Sequence, residues 1–225
     1  MSYPINYPTP QGANVQIFNV NYSNTGGTQV WVKPKGASFV WFTLIGAGGG
    51  GDGSTTGGGS GTITNCMVPA FLIPDELRLT VGTGGPVSVA GGAGLSTFIA
   101  YQQKTGSGYT LLTANPGGTQ GVAGSANAAN YFSAMGIYQS IAGQTGSSGS
   151  QAASTTTFLS GGSASTTTGN YGYGNGIASN YDGFFITQPI IVGVGGGLNN
   201  FNGGIGCGGG LNGKGGDGLA VIITW

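Results

Sequence analysis

The segment Ser38-Phe39-Val40-Trp41-Phe42-Thr43-Leu44-Ile45 has the aromatic and β-branched make-up of a buried strand. It stops at Gly46-Ala47-Gly48-Gly49-Gly50-Gly51. The same juxtaposition recurs along the chain, so that glycine-rich blocks at 46–61, 82–94 and 193–218 each begin where a strand-like run ends. With 51 Gly and 9 Pro in 225 residues, helix is largely ruled out and the fate of the glycines becomes the central question. Glycine costs about 0.5–1 kcal/mol relative to alanine in a regular element. Such blocks are therefore either long surface loops or segments ordered by close backbone packing. The loop reading suits the Ser/Thr/Gly tract at about 143–176, which has few apolar anchors. Ordered packing of the polyglycine-II kind, with a three-residue turn and no side chains between rods, suits 193–218, which strong strands flank.

Disordered chains combine low hydrophobicity with high net charge. This one has no net charge, 38% hydrophobic residues and a mean hydropathy of +0.11. Its apolar residues sit in short runs bounded by Gly, Pro, Asn or Asp: Val15–Val20, Gln29–Val32, Ser38–Ile45, Thr62–Val68, Leu77–Val81, Thr97–Tyr101, Tyr109–Thr113, Phe184–Val194 and Leu219–Thr224. Leu77-Arg78-Leu79-Thr80-Val81 alternates cleanly, as a half-buried strand should. Many short strands without interleaved helical periodicity predict an all-β chain, an antiparallel β-sandwich or jelly-roll with ordered glycine-rich loops. Helical spacing occurs once, at Tyr131, Met135 and Tyr138 within Ala126–Ser140. Residues 1–27 read as an extended arm and first strand, and 28–225 as the glycine-rich β domain.

Charge narrows the function. Only 4% of residues are charged, five cations (Lys33, Lys35, Arg78, Lys104, Lys214) against five carboxylates (Asp52, Asp75, Glu76, Asp182, Asp217), and there is no His. Five scattered cations cannot form a phosphate-binding stripe, so nucleic acid is not an expected partner. The lack of His and the few carboxylates argue against acid–base catalysis and a metal site, and no cofactor is expected. Gly208-Gly209-Gly210-Leu211-Asn212-Gly213-Lys214-Gly215 approaches a P-loop, but no Ser or Thr follows the lysine and no helix pattern follows the loop. Asp75-Glu76 after Pro74 reads as a turn with Arg78 as counter-charge. Cys66 and Cys207 read as two buried thiols, with a pairing between them left open. No apolar run approaches a membrane span, and the first residues lack a signal-peptide pattern, so synthesis and assembly in a cytosol are expected.

The surface chemistry that remains is tyrosine among Asn, Ser and Gly, a composition suited to recognition because tyrosine offers rigid amphipathic contact at low entropy cost. Tyr171, Tyr173, Asn175 and Tyr181 are the candidate contact residues for a partner or an outside ligand such as a host-surface glycan; packing against neighbouring subunits is the plainer alternative. Tyr3, Pro4, Tyr7 and Pro8 lie in a proline-rich N-terminal segment that suits an extended docking arm.

The order of the glycine blocks carries a resemblance. After Lys33-Pro34-Lys35-Gly36 an aromatic strand runs into Leu44-Ile45-Gly46-Ala47-Gly48-Gly49-Gly50-Gly51; then come Leu79-Thr80-Val81-Gly82-Thr83-Gly84-Gly85, Gly91-Gly92-Ala93-Gly94-Leu95-Ser96-Thr97 and Gly215-Gly216-Asp217-Gly218-Leu219-Ala220-Val221-Ile222-Ile223. From about Lys33 to Trp225 this series resembles the glycine-rich domains of phage tail-fibre and other virion surface proteins. The resemblance implies a β-rich, non-enzymatic virion module, a fibre, spike or capsid-associated component. It further implies self-association, with a trimer favoured, contacts with other virion proteins, and no insertion into a membrane.

Overall fold

The computed structural model describes residues 13–21, 27–88, 92–101, 108–126, 137–146, 159, 162 and 201–225. Among the described residues nine strands form, in the order β1 (Asn14–Phe18), β2 (Thr28–Val32), β3 (Phe39–Ile45), β4 (Ile63–Pro69), β5 (Glu76–Thr80), β6 (Thr97–Tyr101), β7 (Tyr109–Ala114), β8 (Ile137–Ile141) and β9 (Leu219–Thr224). They pair antiparallel throughout, in a five-stranded sheet ordered β1-β9-β3-β4-β8 and a four-stranded sheet ordered β2-β5-β6-β7. The all-β sandwich expected from the sequence is the fold.

Alternation decides which side chains enter it. In β5, Leu77 and Leu79 are buried while Arg78 faces out. From the opposite sheet, Val40, Phe42 and Leu44 of β3, Cys66 and Val68 of β4, and Ala220 and Ile222 of β9 point inward. They meet Trp31, Leu77, Leu79, Ile99 and Leu112 in one core. Trp31 meets Phe42 edge-on, with ring centroids 6.0 Å apart at 73°, a favoured aromatic geometry. The other face of the five-stranded sheet is apolar as well: Trp41, Ile45, Leu219, Val221 and Ile223 pack with Leu159 and Cys207. Strand β9 is consequently buried along all six residues, which explains why its sequence is a continuous apolar run rather than an alternating one.

Three details differ from expectation or fall beyond the described residues. Tyr138 belongs to strand β8, paired with Cys66 of β4, so within Ala126–Ser140 the part described from Ile137 onward is extended rather than helical. Spacing alone misled there, because this segment becomes a strand through its pairing with β4, from Ile63 with Ile141 to Met67 with Ile137. Asp75 pairs with Lys33 at 2.9 Å, not with the expected Arg78. The expected strand at 184–194 lies outside the described residues. Cys66 and Cys207 are buried thiols on opposite faces of one sheet, not joined in a disulfide.

Candidate functional site

At one end of the sandwich the strands do not turn; they continue as glycine segments. Strand β3 runs on into 46–51, β5 into 82–86, β7 into 115–118 and β8 into 143–146, while β4, β6 and β9 emerge from 58–62, 92–95 and 213–218. The backbone hydrogen bonds of 46–51 give the geometry. Gly46 and Gly49 donate to Thr62 and Gly59, Ala47 and Gly50 to Leu95 and Gly92, and Gly48 and Gly51 to Gly216 and Gly213. Residues three apart thus share a neighbour, and consecutive residues face three different neighbours. That is the signature of a rod with three residues per turn and no internal hydrogen bonds. The acceptor number falls by three as the donor number rises by three, so all three neighbours run antiparallel to it.

Three further segments donate inward. Gly85 bonds the carbonyl of Gly48, Gly117 that of Ala47 and Gly209 that of Gly49. The 46–51 segment is therefore a fully buried central rod ringed by six others. A second layer adds Gly143 and Gly146 donating to Gly124 and Gly121, and Gly203 and Gly206 donating to Lys214 and Asp217. Gly143 and Gly146, at the start of the tract read from sequence as a surface loop, are thus part of the bundle.

This arrangement needs glycine for a steric reason. A Cβ on Gly48 would fall inside the carbonyl of Cys207, and one on Gly84 inside that of Gly215. Rods bonded carbonyl to amide in three directions leave no shell for side chains. Ala47 is the one side chain inside the central rod and is fully buried.

Where strand becomes rod, buried hydroxyls make the joint. Thr97 Oγ1 donates to the Ile45 carbonyl at 2.6 Å and accepts from the Gly82 amide at 3.1 Å. Thr64 Oγ1 donates to the Thr113 carbonyl at 2.9 Å. Ser60 Oγ accepts from the Gln144 amide at 2.6 Å and donates to the Leu159 carbonyl at 3.1 Å. These side chains are fully buried and satisfied, as buried polar groups must be. Asp217 Oδ1 accepts from the Gly84 amide at 2.7 Å, and Lys214 lies 3.8 Å from the same oxygen.

The far ends of the rods form an outer tip, with bends or turns at 53–55, 119–121 and 211–212. Asp52 caps the central rod there. Its Oδ1 accepts from the amides of Ser54, Thr55 and Thr56 at 2.9, 2.7 and 2.8 Å, and its Oδ2 from the Thr55 hydroxyl at 2.8 Å. Burial by itself would raise the Asp52 carboxyl, but these four donors outweigh it and hold the group well below the ordinary carboxylate range. In the sandwich core, burial pushes the Cys66 thiol up to about 12.

The loop resembling a P-loop is bundle. Gly209 donates to Gly49, Gly210 to Phe201, Gly213 to Gly210, Lys214 to Asn202 Oδ1 and Gly215 to Gly85. Amides committed in this way cannot cradle a phosphate. Among the described residues there is no cluster of three or more Cys, Asp or Glu able to hold a metal ion. Tyr171, Tyr173, Asn175 and Tyr181, like Tyr3, Pro4, Tyr7 and Pro8, lie outside the described residues. The flanks of the tyrosine tract are described: Gly146, Gly162 and Phe201 all bond within the outer half of the bundle, to Gly121, Gly58 and Gly210. Sequence reading did not single out Asp52, Asp217 or Ser60. An Asp two to four residues before Ser-Thr-Thr was the available signal for the first. The chain matches no protein-family model and no curated protein sequence.

Two outcomes follow. Gly48→Ala should destabilise the protein by about 1–3 kcal/mol or prevent folding, whereas Ala47→Gly, one residue away, should cost only about 1 kcal/mol; chemical denaturation of both variants checks this. Stability should be flat between about pH 5 and 8, because no His titrates there. The Asp52 contribution is present above the unfolded aspartate value of about 3.9 and shrinks as pH falls below it. Above about pH 8.5 stability should fall again, since Cys66 ionises more readily unfolded. Denaturation midpoints of wild type, Asp52→Asn and Cys66→Ala across pH read each limb, and the acid limb should be shallower in Asp52→Asn.

Proposed function

We propose that this chain is a non-enzymatic structural module of a virion surface, a fibre, spike or capsid-associated component that works by self-assembly and contact with other virion proteins. The observation that carries this reading is the central rod. All six of its amides bond to neighbouring segments, so the bundle is a stiff block of backbone with no open chemistry inside it. Its polar groups serve to connect strand to rod, and the resemblance in the order of glycine blocks points the same way. Joints between such modules would be neutral and hydrogen-bonded. They would tolerate salt, because there is almost no charge to screen.

A second reading, a host-receptor or glycan-binding adhesin, draws on a specific observation. The tyrosine-bearing tract leaves the described structure after Gly146 and re-enters it at Phe201, and both of these residues bond within the outer half of the bundle. Tyr171, Tyr173, Asn175 and Tyr181 would then contact the ligand.

Antibodies raised against the folded chain should decorate intact particles from infected cells. The chain should stay with them through washes from low salt to about 1 M, and light scattering should give a trimer for the purified chain. Absence from washed particles overturns the virion reading, and steep release by salt overturns the neutral joint. Loss of cell or glycan binding in Tyr171→Ala, Tyr173→Ala particles that still assemble would favour the adhesin.

A further inference from the structure

The four-stranded sheet ends at β2, and among the described residues no strand lies on its other side. The Lys33 amide donates to the Asp75 carbonyl at 2.8 Å. Antiparallel ladders alternate, so Trp31 and Gln29, two and four residues back, also bond toward their partners Leu77 and Leu79 of β5. The amides and carbonyls of Val30 and Val32 therefore point to the open edge. Their side chains lie on the outer face, 48% and 61% exposed, while Trp31 between them is buried. Main chain and apolar side chains are thus presented to solvent together at this edge.

Edge strands are usually defended by a charged side chain, a proline, a bulge or a covering segment. Strand β2 lacks the first three. Its residues, Thr28-Gln29-Val30-Trp31-Val32, are neutral, and its pairing with β5 runs without a register shift. The adjoining cation, Lys33, is drawn inward: its ammonium donates to the carbonyls of Ala70 and Ile73, both at 2.9 Å, and pairs with Asp75 at 2.9 Å. The strand is also matched to itself. Gly27, with φ +61°, closes it at one end, and Pro34 follows Lys33 at the other. Antiparallel pairing with an identical strand about Val30 sets Val30 against the second copy's Val30 and Val32 against its Thr28, so both strands begin and end together. A centre one residue later would set Thr28 against Pro34, which has no amide to donate. With the Val30 centre no charge is set against its own image, the arrangement that destabilises like-charged cross-strand pairs.

We propose that β2 is an interaction edge for a second copy of this chain, joined by two-fold antiparallel pairing centred on Val30 that merges two four-stranded sheets into one of eight strands. This contact does not depend on the virion reading. It is made by one five-residue strand and is small beside the standard interface of about 1,600 Å². It therefore forms as concentration rises, in addition to the contact that builds the trimer expected above.

Under mild oxidation Val30→Cys should be trapped as a disulfide-linked pair, because hydrogen-bonded partners in an antiparallel ladder have Cα atoms about 5.5 Å apart, within disulfide reach. Val32→Cys alone should not be trapped, since the two copies of residue 32 stand four residues apart along the strands, about 13 Å. Mixed with Thr28→Cys it should be. Cys66 and Cys207 are buried, so wild type should stay uncrosslinked. In light scattering the wild-type mass should at least double as concentration rises. Val30→Lys, which sets two cations face to face at the centre, should keep its dilute mass, while circular dichroism shows all variants folded. Equal trapping of Val30→Cys and Val32→Cys overturns the proposal, as does trapping of neither. Trapping of Val30→Cys only by Gln16→Cys, in the middle of edge strand β1, overturns it too, since that seats the second copy's β1 on this edge.

Discussion

The approach of one main chain to another without intervening side chains governs the rest of this structure. In the central rod the carbonyl of Cys207 occupies the space that a Cβ on Gly48 would need. Segments 114–118, 85–86 and 207–211 crowd the rod in this way, and six segments in all are hydrogen-bonded to it. The glycine content is therefore a packing requirement rather than a sign of looseness. A net hydrogen bond contributes only about 1 kcal/mol, and glycine gives up about 0.5–1 kcal/mol to backbone entropy. A glycine bundle has almost no hydrophobic term of its own, so it depends on the sandwich to hold its rods in place.

That dependence runs through the strands. Strands β3, β5, β7 and β8 deliver their chains into the bundle, and β4, β6 and β9 collect them from it. The hydrophobic core between the sheets, from Trp31 and Phe42 to Leu79 and Ile222, therefore sets the spacing and direction of the rods. Sheets present neighbours on two sides, whereas the central rod has six. The buried hydroxyls of Ser60, Thr64 and Thr97 absorb this change of geometry by bonding carbonyls and amides that belong to neither pattern. At the far end Asp52 gathers three amides and a hydroxyl and closes the turn out of the central rod.

Much of the sandwich was legible in the sequence because alternation and β-branched runs act locally. Leu77 and Leu79 point inward as their spacing requires, and the run Ser38–Ile45 is a strand into the glycines. The glycine blocks were visible, and the ordered packing expected of 193–218 holds over its described part, 201–218, which runs into β9. The three-residue turn was expected for 193–218, but which distant segments each rod bonds was not legible, because the pairing depends on contacts far apart in the chain. Longer-range choices were hidden for the same reason: Tyr138 is drawn into a strand by Cys66 of β4, and Asp75 by Lys33 across the chain from it. Of the candidate contact residues, the sequence supplies a chemistry in tyrosine and asparagine. The fold adds only where the described flanks of their tract are held, Gly146 and Phe201 in the bundle and Leu159 against the five-stranded sheet.

The most direct measurement is amide hydrogen exchange, residue by residue, along 39–51. If 46–51 is a hydrogen-bonded rod ringed by six others, the amides of Gly48 to Gly51 exchange as slowly as those of β3, opening only with the whole fold. Exchange of those glycine amides at unprotected rates, while β3 and β9 remain protected, would contradict the account.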